Sequence, residues 1–380
     1  MTAAMSRHRT TDRTDHLAGP LTGPLTGPGT VRLTGRTGFE IELLAPPGGS
    51  RADLAEELAR GCGGTVRRFF HTDSEPSLVP GMDHFIHLTP GFAVVGPDGE
   101  ERCRLVDDIT IRFDLDPAAP PRPGWYRIVG DEPRLMRLTA RLADPAAPLE
   151  AVLEPLAAAF GVPAQVVEGV VRVEDGGGAT VAMAVPTSGE RERPCEIVTP
   201  PLTHDHQDRL AQLLEPAVRL GFTVPAEAAV HLHVDAAPLR EPATFANLVR
   251  LFSDWSAPLR AELGTNPRCR RLGALPEAVV ELVAAGVPDR WPDLVGAVAT
   301  SGLTKFADVN LTALVHPRRE KDTVEIRCLP GSADAPEIAA RAAFVERLLD
   351  RCRDPRPLPP WRPGATAGDL IAPSPSGQVR

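Results

Sequence analysis

The segment GFEIELL, residues 38–44, alternates apolar and acidic side chains with a period of two. This spacing predicts a β-strand in which Glu40 and Glu42 point to one face, while the apolar side chains fill the other face. Carboxylates on one strand face lie close together, and like charges at that distance resist joint ionisation unless a cation lies between them. An isolated pair of this kind is most often a half-solvated edge strand. The polar residues of three further strand-like segments favour a functional site.

The composition describes a globular chain that is long enough for one large domain or two smaller ones. It has 380 residues, of which 42 % are hydrophobic and only 4 % aromatic, and its formal net charge is −9. Few aromatic side chains are present to stack on single-stranded nucleic acid, and the negative charge disfavours any nucleic acid or an anionic membrane as the main partner. No apolar run approaches the roughly 20 residues of a membrane span.

The six cysteines are scattered without a C-x-x-C pair, so neither a zinc knuckle nor a disulfide framework is predicted. The N-terminal residues are polar and contain no hydrophobic signal region. Together these features predict a reducing, cytoplasmic location. Residues 1–30 include the repeat GPLTGPLTGP, which predicts a disordered low-complexity tail. Residues 352–380 are a Pro-rich C-terminal tail, which we expect to be loosely ordered from about residue 354.

Between these tails, residues 31–351 contain mixed strand and helix signals. Besides the strands that carry functional residues, we expect strands at 66–70, 92–95, 103–106, 109–113, 166–173 and 179–185, and a turn at 73–77. We expect helices at 51–60 after an N-cap at Ser50, at 131–142 and 149–160, from a cap at Thr203 to about 220, and at 245–263, 276–286, 288–300 and 336–349.

A second segment with functional side chains is AVHLHVD, residues 229–235. As a strand, it places His231 and His233 on the same face. Two imidazoles on one strand face are a recurring arrangement at metal and anion sites, although a solvated sheet face is about as common. By contrast, His204 and His206 lie two residues apart at the start of a predicted helix, so they do not share a face and form a poor ligand pair.

Two further strand-like segments complete the pattern. Glu196 lies in a short apolar strand that Pro200 and Pro201 end. In the segment TVEIRCL, the alternation places Glu325 and Arg327 on one face. We expect that segment to pair with a strand at 304–312, which carries Lys305 and Asn310, around a charged turn at 317–322.

The residue types on these strand faces point to a particular chemistry. Four carboxylates and a histidine suit hard divalent cations such as Mg²⁺ or Mn²⁺ and fit zinc less well, because no thiolates accompany them. Arg327 suits a transferred phosphoryl group. Arg268 and Arg270 lie in a basic loop that fits a phosphate or carboxylate partner, although a merely solvated loop is the commoner case. The glycine run at 174–178 lacks the ending of a phosphate-binding loop and predicts a hairpin turn.

Six motifs in this order resemble the amidoligases, which are carboxylate–amine ligases of the glutamine synthetase and glutamate–cysteine ligase superfamily. The motifs are GFEIE, CEIVTPPL, HLHV, FANLVRLF, KFADVNL and TVEIRCLPG. The resemblance runs from residue 38 to residue 349, and residues 66–185 form a segment that does not align well and is interpreted as divergent or inserted. This segment also departs from the family's Asp-x-Ser motif, which leaves the substrate open.

The resemblance implies an α+β fold with a curved, mostly antiparallel sheet that forms a funnel, and with helices packed on its convex side. ATP would enter at one end of the funnel and a carboxylate substrate at the other, with Mg²⁺ or Mn²⁺ between them. The implied metal ligands are Glu40, Glu42, Glu196, His231 and Glu325. The implied nucleotide contacts are His233 and Arg327, with Asn310, Arg268 and Arg270 as weaker candidates, and the implied catalytic residues are Arg327, Glu42 and Lys305.

The implied activity is ATP-dependent formation of an amide from an amino acid, a peptide or a related metabolite. The substrate carboxylate would take the γ-phosphoryl group of ATP, and an amine would then attack the acyl phosphate. A metal-dependent hydrolase with the same Glu/His cluster remains an alternative, as does a non-catalytic binding scaffold of the same fold. We expect small-molecule or peptide partners, no nucleic acid and no membrane, and a homo-oligomer is compatible with the sequence.

Overall fold

A computed structural model describes residues 32–76, 84–269, 271–316 and 322–372 of the chain. The predicted tail at 1–30, Arg270, most of the predicted charged turn at 317–322, and the last eight residues of the Pro-rich tail lie outside these ranges.

The strands of the described residues form one 12-stranded sheet. They are β1 (Thr37–Leu44), β2 (Thr65–Pro76), β3 (His84–Val95), β4 (Glu101–Val106), β5 (Tyr126–Gly130), β6 (Gln165–Val167), β7 (Val170–Glu174), β8 (Thr180–Pro186), β9 (Pro194–Val198), β10 (Ala229–Asp235), β11 (Val309–Asn310) and β12 (Thr323–Pro330).

The strand order is β11-β12-β10-β1-β9-β4-β3-β5-β8-β7-β6, and β2 pairs with the other edge of β3. Every strand pair formed by the described residues is antiparallel. The sheet is open, with β11 and β6 at its ends. The prediction of an α+β fold with an antiparallel sheet is therefore confirmed, whereas the funnel and the likeness to glutamine synthetase stay predictions.

Ten α-helices accompany the sheet in the described residues. They are α1 (Arg51–Cys62), α2 (Pro133–Leu142), α3 (Glu154–Phe160), α4 (His206–Arg219), α5 (Pro242–Ser253), α6 (Ser256–Leu263), α7 (Glu277–Ala285), α8 (Trp291–Val298), α9 (Thr312–Val315) and α10 (Ala335–Arg353). Short 3₁₀ turns occur at Ala237–Leu239 and Ala367–Leu370. None of the helices in the described ranges is both long and apolar enough to cross a bilayer.

The main hydrophobic core lies on one face of the sheet. Phe39, Ile41 and Leu43 of β1 are fully buried there, as the alternation of the GFEIELL segment predicts. They belong to one cluster with side chains of α1, α4, α5, α7 and α10. The acidic side chains of β1 therefore point away from the packed helices.

A second, smaller core lies within residues 66–185, the segment that does not align well with the family motifs. Leu88, Ile128 and Val171, from β3, β5 and β7, pack there with α2 and α3. The long strand β3 connects the two parts, because it pairs with β4 at one end and with β5 at the other. Along its other edge, β3 pairs with β2 over 12 residues. The segment thus extends the sheet with its own packed layer.

Several predicted elements differ from the structure for identifiable local reasons. Residues 73–76 continue β2, because their backbone pairs with β3, and do not form a turn. Residues 109–113 do not form a strand, since the Asp108 carboxylate accepts hydrogen bonds from the amide and hydroxyl of Thr110 and starts a turn. The predicted helix at 245–263 is two helices, α5 and α6, because the ring of Pro258 cannot fit a continuous helix.

The bounds of three other predicted elements also differ from the structure. The predicted helix at 149–160 begins only at Glu154, and α4 begins at His206 after Asp205, so Thr203 is not its cap. Of the predicted strand at 304–312, only Val309–Asn310 pairs with β12. The described part of the Pro-rich tail packs against the main core, where Leu358 and Ala367 are buried.

Candidate active site

One face of the sheet, which we call the site face, collects the charged residues that the sequence singles out. Direct cross-strand partners share a sheet face. Glu40 pairs with His231, Glu42 pairs with Glu196, and His233 pairs with Glu325. The short strand β11 adds Asn310, which pairs with Glu325. Antiparallel pairing thus brings together residues that lie up to 285 positions apart.

Three of these residues can bind one ion. One ligand atom each from Glu40, His233 and Glu325 lies within 4.8 Å of the other two. The Nε2 atom of His233 is 2.8 Å from Oε1 of Glu40. It is buried and has no aligned hydrogen-bond partner among the described residues. Its Nδ1 atom lies 3.2 Å from the hydroxyl of Thr323, which orients the ring.

His231 lies between three carboxylates rather than beside one. Its Nδ1 atom is 3.1 Å from Oε2 of Glu40 and 3.7 Å from Oε1 of Glu325. Its Nε2 atom is 3.6 Å from Oε1 of Glu42. The family resemblance assigns the metal to His231 and the nucleotide to His233, whereas the three grouped donor atoms include His233. Either imidazole is close enough to Glu40 to bind a shared ion.

Glu42 is a buried carboxylate whose charge is only partly balanced. Its Oε2 atom accepts a hydrogen bond of 2.8 Å from the backbone amide of Ala229. Burial, and then the charge of Asp108, raises the pKa of Glu42 well above its ordinary value, although the Ala229 amide and Arg327 act in the opposite direction. Burial and the charge of Asp108 therefore disfavour the ionised form of Glu42 unless a cation offsets them.

Glu196 experiences the same crowding. Burial raises the pKa of Glu196 well above its ordinary value, and the neighbouring carboxylates of Glu40, Asp108, Glu42 and Asp73 raise it further. Such a group is stable as a carboxylate when a cation offsets the repulsion.

Glu325 is the carboxylate that the site keeps ionised. Burial and Glu40 act to raise its pKa, but Arg327 and then the two imidazoles outweigh them and lower the pKa of Glu325. A terminal nitrogen of Arg327 donates to Oε1 of Glu325, and Nδ2 of Asn310 donates to Oε2 at 2.9 Å. Asn310 therefore orients a candidate metal ligand, and its contact with a nucleotide stays a prediction. Its own Oδ1 atom accepts from the amide and hydroxyl of Thr312.

Two other predicted site residues, Lys305 and Arg268, lie in loops and not on the strands of the site face. Lys305 lies in the loop before β11, with Nζ 5.5 Å from the ring of Phe306. Arg268 is exposed in the basic loop, and Arg270 lies outside the described residues. Cys195 and Cys328 are fully buried on the opposite sheet face, as their places in the alternation predict.

Two acidic residues of the site were missed from the sequence alone. Asp108 is buried and acts on both Glu42 and Glu196, and Asp73 acts on Glu196 from β2. Asp108 lies two residues after the end of β4, and a carboxylate close to the end of a strand is a signal that could have identified it. Asp73 was hidden because Asp73-Ser74-Glu75-Pro76 resembles a turn.

Two cavities open on the site face. The larger, of about 640 Å³, lies beside the metal-ligand group and is lined by Arg36, Glu40, Arg104, His233 and Thr323, among others. The smaller, of about 360 Å³, lies beyond Glu196 and is lined by His87, Thr89, Asp107 and three arginines. Cavities of these sizes are in the range that small molecules and cofactors occupy.

The donor set fits a hard divalent cation. Carboxylate oxygens dominate it, and no thiolate lies among the grouped atoms. The raised pKa values of Glu42 and Glu196 indicate a site that lacks positive charge, and Nε2 of His233 is buried beside Glu40 without an aligned hydrogen bond among the described residues. A cation between the carboxylates would relieve both deficits.

Comparison with known proteins gives one result. No curated protein and no solved structure shows a significant match to the chain. The model of one protein family, described as "Putative amidoligase enzyme", matches residues 34–349, which include every strand that carries the site. This confirms the resemblance seen in the six sequence motifs, and the family's description indicates an amide-forming ligase. The chain belongs to the amidoligase family.

Proposed function

We propose that this protein is an ATP-dependent carboxylate–amine ligase that forms an amide through an acyl phosphate. The observation that carries the proposal is the grouping of Glu40, His233 and Glu325 within 4.8 Å on one sheet face. Arg327 donates a hydrogen bond to the carboxylate of the same Glu325. A divalent-ion site next to a guanidinium suits phosphoryl transfer, and the family match favours amide formation as its purpose.

One Mg²⁺ or Mn²⁺ ion would be bound by Glu40, His233 and Glu325. A second cation would be bound near Glu42 and Glu196. His231 lies close to Glu40 and Glu42. Bound divalent ions neutralise phosphate oxygens and position them for transfer. The remaining contributions come from this chain's own side chains. Three further groups orient the candidate ligands through hydrogen bonds: Asn310 donates to Glu325, the Thr323 hydroxyl contacts His233, and the Ala229 amide donates to Glu42.

We propose the larger cavity as the nucleotide site. Its volume of about 640 Å³ suits a nucleotide, and it borders Glu40 and His233 directly. Arg36 and Arg104 lie in its wall and offer cationic donors to a polyphosphate. Arg104 also lies over the ring of Phe69, with its guanidinium carbon 5.2 Å from the ring centre. A phosphate chain that runs from this wall toward Glu325 would meet Arg327 at its γ end.

The first chemical step is attack by a substrate carboxylate oxygen on the γ-phosphorus. The bond between that phosphorus and the β–γ bridging oxygen breaks, and ADP leaves. Arg327 would offset the charge on the transferred phosphoryl group. In the second step, the amine nitrogen attacks the acyl carbon, the carbon–oxygen bond to phosphate breaks, and the amine gives up a proton as phosphate leaves. Neither step needs an enzyme nucleophile, which agrees with the burial of Cys195 and Cys328.

An isotope experiment tests this chemistry. Pools of carboxylic acids and amines are screened for ADP release in the presence of Mg²⁺, and the active acid is then labelled with ¹⁸O in its carboxylate. An acyl phosphate predicts that one labelled oxygen per amide formed appears in inorganic phosphate. Label that remains entirely in the amide and in unreacted acid, despite ADP release, would rule out this pathway. The variant Arg327→Ala should lose ADP release, and the surface variant Arg137→Gln should keep it.

A further inference from the structure

The strand β2 has an outer edge with which no other described strand pairs. Its inner edge pairs with β3 along all 12 residues from Thr65 to Pro76, and this pairing has no register shift. The sheet formed by the described residues offers no neighbour on the outer side. Alternate residues of an edge strand direct their N–H and C=O groups away from the sheet, so another strand can pair there.

This edge lacks the features that usually protect an edge strand. Strands commonly have about 5–6 residues, and exposed edges are often bulged or interrupted by lysine or proline. The strand β2 is longer and regular, and it contains no lysine and no proline before Pro76. Its side chains from Thr65 to Asp73 are exposed or half-buried, whereas residues 87–94 of β3 are all buried. A long, regular and accessible edge of this kind indicates a partner strand.

The sequence of β2 complements itself when a second copy runs antiparallel to it. A two-fold axis perpendicular to the sheet, passing beside Phe70, places the Phe70 residues of the two copies opposite each other. In that register, Arg67 of each copy is opposite Asp73 of the other, and Phe69 is opposite His71. Opposite charges and aromatic pairs in directly facing positions stabilise neighbouring strands.

The two faces of β2 agree with this register. Arg67 pairs with Ala93 of β3, and Ala93 pairs with Arg104, which lines the larger cavity of the site face. Asp73 lies six residues after Arg67, so both project on the site face. Phe70 projects on the opposite face, against the smaller core. The two-fold axis preserves both faces, so the charged pairs form on the site face and the Phe70 pair forms on the other.

Neighbouring registers of the same symmetry are less favourable. With the axis beside Phe69, Arg67 is opposite His71 and loses its acidic partner. With the axis beside His71, Arg67 is opposite an acidic residue at position 75, but the two imidazoles face each other and Phe69 is opposite Asp73. The register centred on Phe70 combines the charged pairs with the aromatic pairs.

The present contacts of the two charged residues allow this pairing. Arg67 lies 3.3 Å from Glu101, but its side chain is 63 % exposed, and an exposed contact of this kind contributes little to stability. Asp73 lies 4.0 Å from His87 and is partly exposed. The charge of Asp73 also acts on Glu196. A guanidinium opposite Asp73 would therefore add positive charge close to the carboxylates of the site.

We propose that two copies of this chain pair antiparallel along the outer edges of β2, centred on Phe70, and form one continuous sheet with both site faces on the same side. A partner strand must carry an acidic and a basic residue six positions apart to match Arg67 and Asp73, and β2 itself has this pattern. The dimer does not depend on the proposed ligase activity, so the two can fail separately.

Analytical ultracentrifugation of the full chain over about a hundredfold range of concentration measures this assembly. We expect the wild type to form a reversible dimer. Arg67→Asp sets like charges opposite each other twice, and Asp73→Arg does the same, so each variant should weaken the dimer by about tenfold or more. The control Arg137→Asp makes the same charge change on the exposed side of α2 and should leave the dimer unchanged.

A mixture of the two variants tests the register. When Arg67→Asp and Asp73→Arg chains are combined in equal amounts, opposite charges face each other at both ends of the pairing, and the dimer should return. Hydrogen exchange gives a measurement on the wild type alone, and it decides the question if Asp73→Arg does not fold. The amides of residues 65–73 should exchange more slowly as the dimer forms, and Arg67→Asp should lose that protection at the same concentration.

Three results would overturn the proposal. The first is a wild type that stays monomeric over the whole range of concentration. The second is a dimer that Arg67→Asp does not weaken, with unchanged exchange at residues 65–73, because assembly would then use another surface. The third is a mixture of the two folded variants that does not recover the dimer, since the charged pairs would then not face each other.

Discussion

Glu42 and Glu196 face each other directly across the antiparallel pair β1–β9. Like charges in this position destabilise a sheet, and the burial of Glu42 and partial burial of Glu196 increase the cost. The sequence nevertheless places carboxylates at both positions. Their juxtaposition is consistent with a cation site whose positive charge arrives with the ligand.

The first prediction concerns pH and divalent ions. A carboxyl group whose folded-state pKa is raised binds its proton more tightly in the folded protein than in the unfolded chain. The metal-free protein should therefore lose stability as the pH rises from the ordinary pKa of a glutamate through the raised values of Glu42 and Glu196. Mg²⁺ should raise the melting temperature, and more so at pH 8 than at pH 5. Thermal melts with EDTA and with Mg²⁺ measure both effects.

The control for this prediction is the double variant Glu42→Gln/Glu196→Gln. It should be at least as stable as the wild type in EDTA, because the repulsion is gone, and should gain little from Mg²⁺. An equal Mg²⁺ response at both pH values, or a double variant that is stabilised as strongly as the wild type, would show that these carboxylates do not hold the ion.

The second prediction distinguishes the two histidines. The donor atoms that group most closely with Glu40 include Nε2 of His233, which has no aligned partner of its own among the described residues. We expect His233→Ala to weaken Mn²⁺ binding by about tenfold or more, because the loss of even a residue that only supports a metal ligand costs that much. His231→Ala should have the smaller effect. Electron paramagnetic resonance of free Mn²⁺ in a titration gives both constants, and the opposite order would assign the ion to His231 as the family resemblance does.

The third prediction concerns the support of Arg327. The backbone amide of Arg327 donates to the carbonyl of Asp308, whose carboxylate is buried and held by Arg260 through a fork with one distance of 2.6 Å. Among the described residues, Arg260→Ala would leave that buried carboxylate with only a long contact to Ser256. We expect a loss of about 3 kcal/mol in the free energy of unfolding.

Chemical denaturation measures this loss, and an exposed ion pair supplies the control. Arg353 and Asp350 are paired at 3.4 Å, but both side chains are more than half exposed. Arg353→Ala should change stability by less than about 0.5 kcal/mol. Similar small changes in both variants would show that the Arg260–Asp308 pair contributes no more than a surface contact.

The fourth prediction concerns Asn247, which lies in the FANLVRLF motif. Its side-chain amide donates to the carbonyls of Cys352, Asp354 and Arg356, and its oxygen accepts from the amide of Leu358. Asn247 is fully buried. Asn247→Ala would leave these groups without their partner, so we expect a loss on the order of 3 kcal/mol.

Limited proteolysis provides a second measurement for this variant. If Asn247 fixes the chain after α10, then Asn247→Ala should expose residues 354–372 to cleavage, while the wild type resists it at the same protease concentration. Equal cleavage rates would show that the buried side chains of Leu358 and Ala367 and the hydrogen bond from Trp255 to the carbonyl of Pro359 hold this segment without Asn247.

The site strands could be predicted from the sequence because alternation fixes which side chains share a face. The strand at 229–235 has the predicted bounds, and the faces of Glu40, Glu42 and Cys195 are confirmed. Alternation does not predict which strands become neighbours. The pairs Glu42–Glu196 and His233–Glu325 are therefore known only from the strand register of the structure. These strand pairs link residues that are distant in sequence, so the choice of neighbouring strands depends on the whole fold.

The remaining differences come from side chains that compete with secondary structure. Asp108 turns the chain where an apolar alternation predicts a strand, and this same residue contributes charge to the site. Asp73 was assigned to a turn, yet the long pairing of β2 with β3 keeps it in a strand. Asn247 was recognised only as part of a motif, because its partners lie more than 100 residues away. The turn at Asp108 is a local effect, whereas contacts between distant residues explain the cases of Asp73 and Asn247.

The most direct test of the ligase function is calorimetric binding of a non-hydrolysable ATP analogue with and without Mg²⁺. The wild type should bind the analogue only when Mg²⁺ is present, and both Glu325→Gln and Arg327→Ala should weaken that binding, since the two side chains meet at the proposed γ-phosphate position. The control Arg137→Gln should bind like the wild type. Folded protein that binds no analogue with any divalent ion, or that binds it equally well in Arg327→Ala, would contradict the assignment of this site to ATP-dependent amide formation.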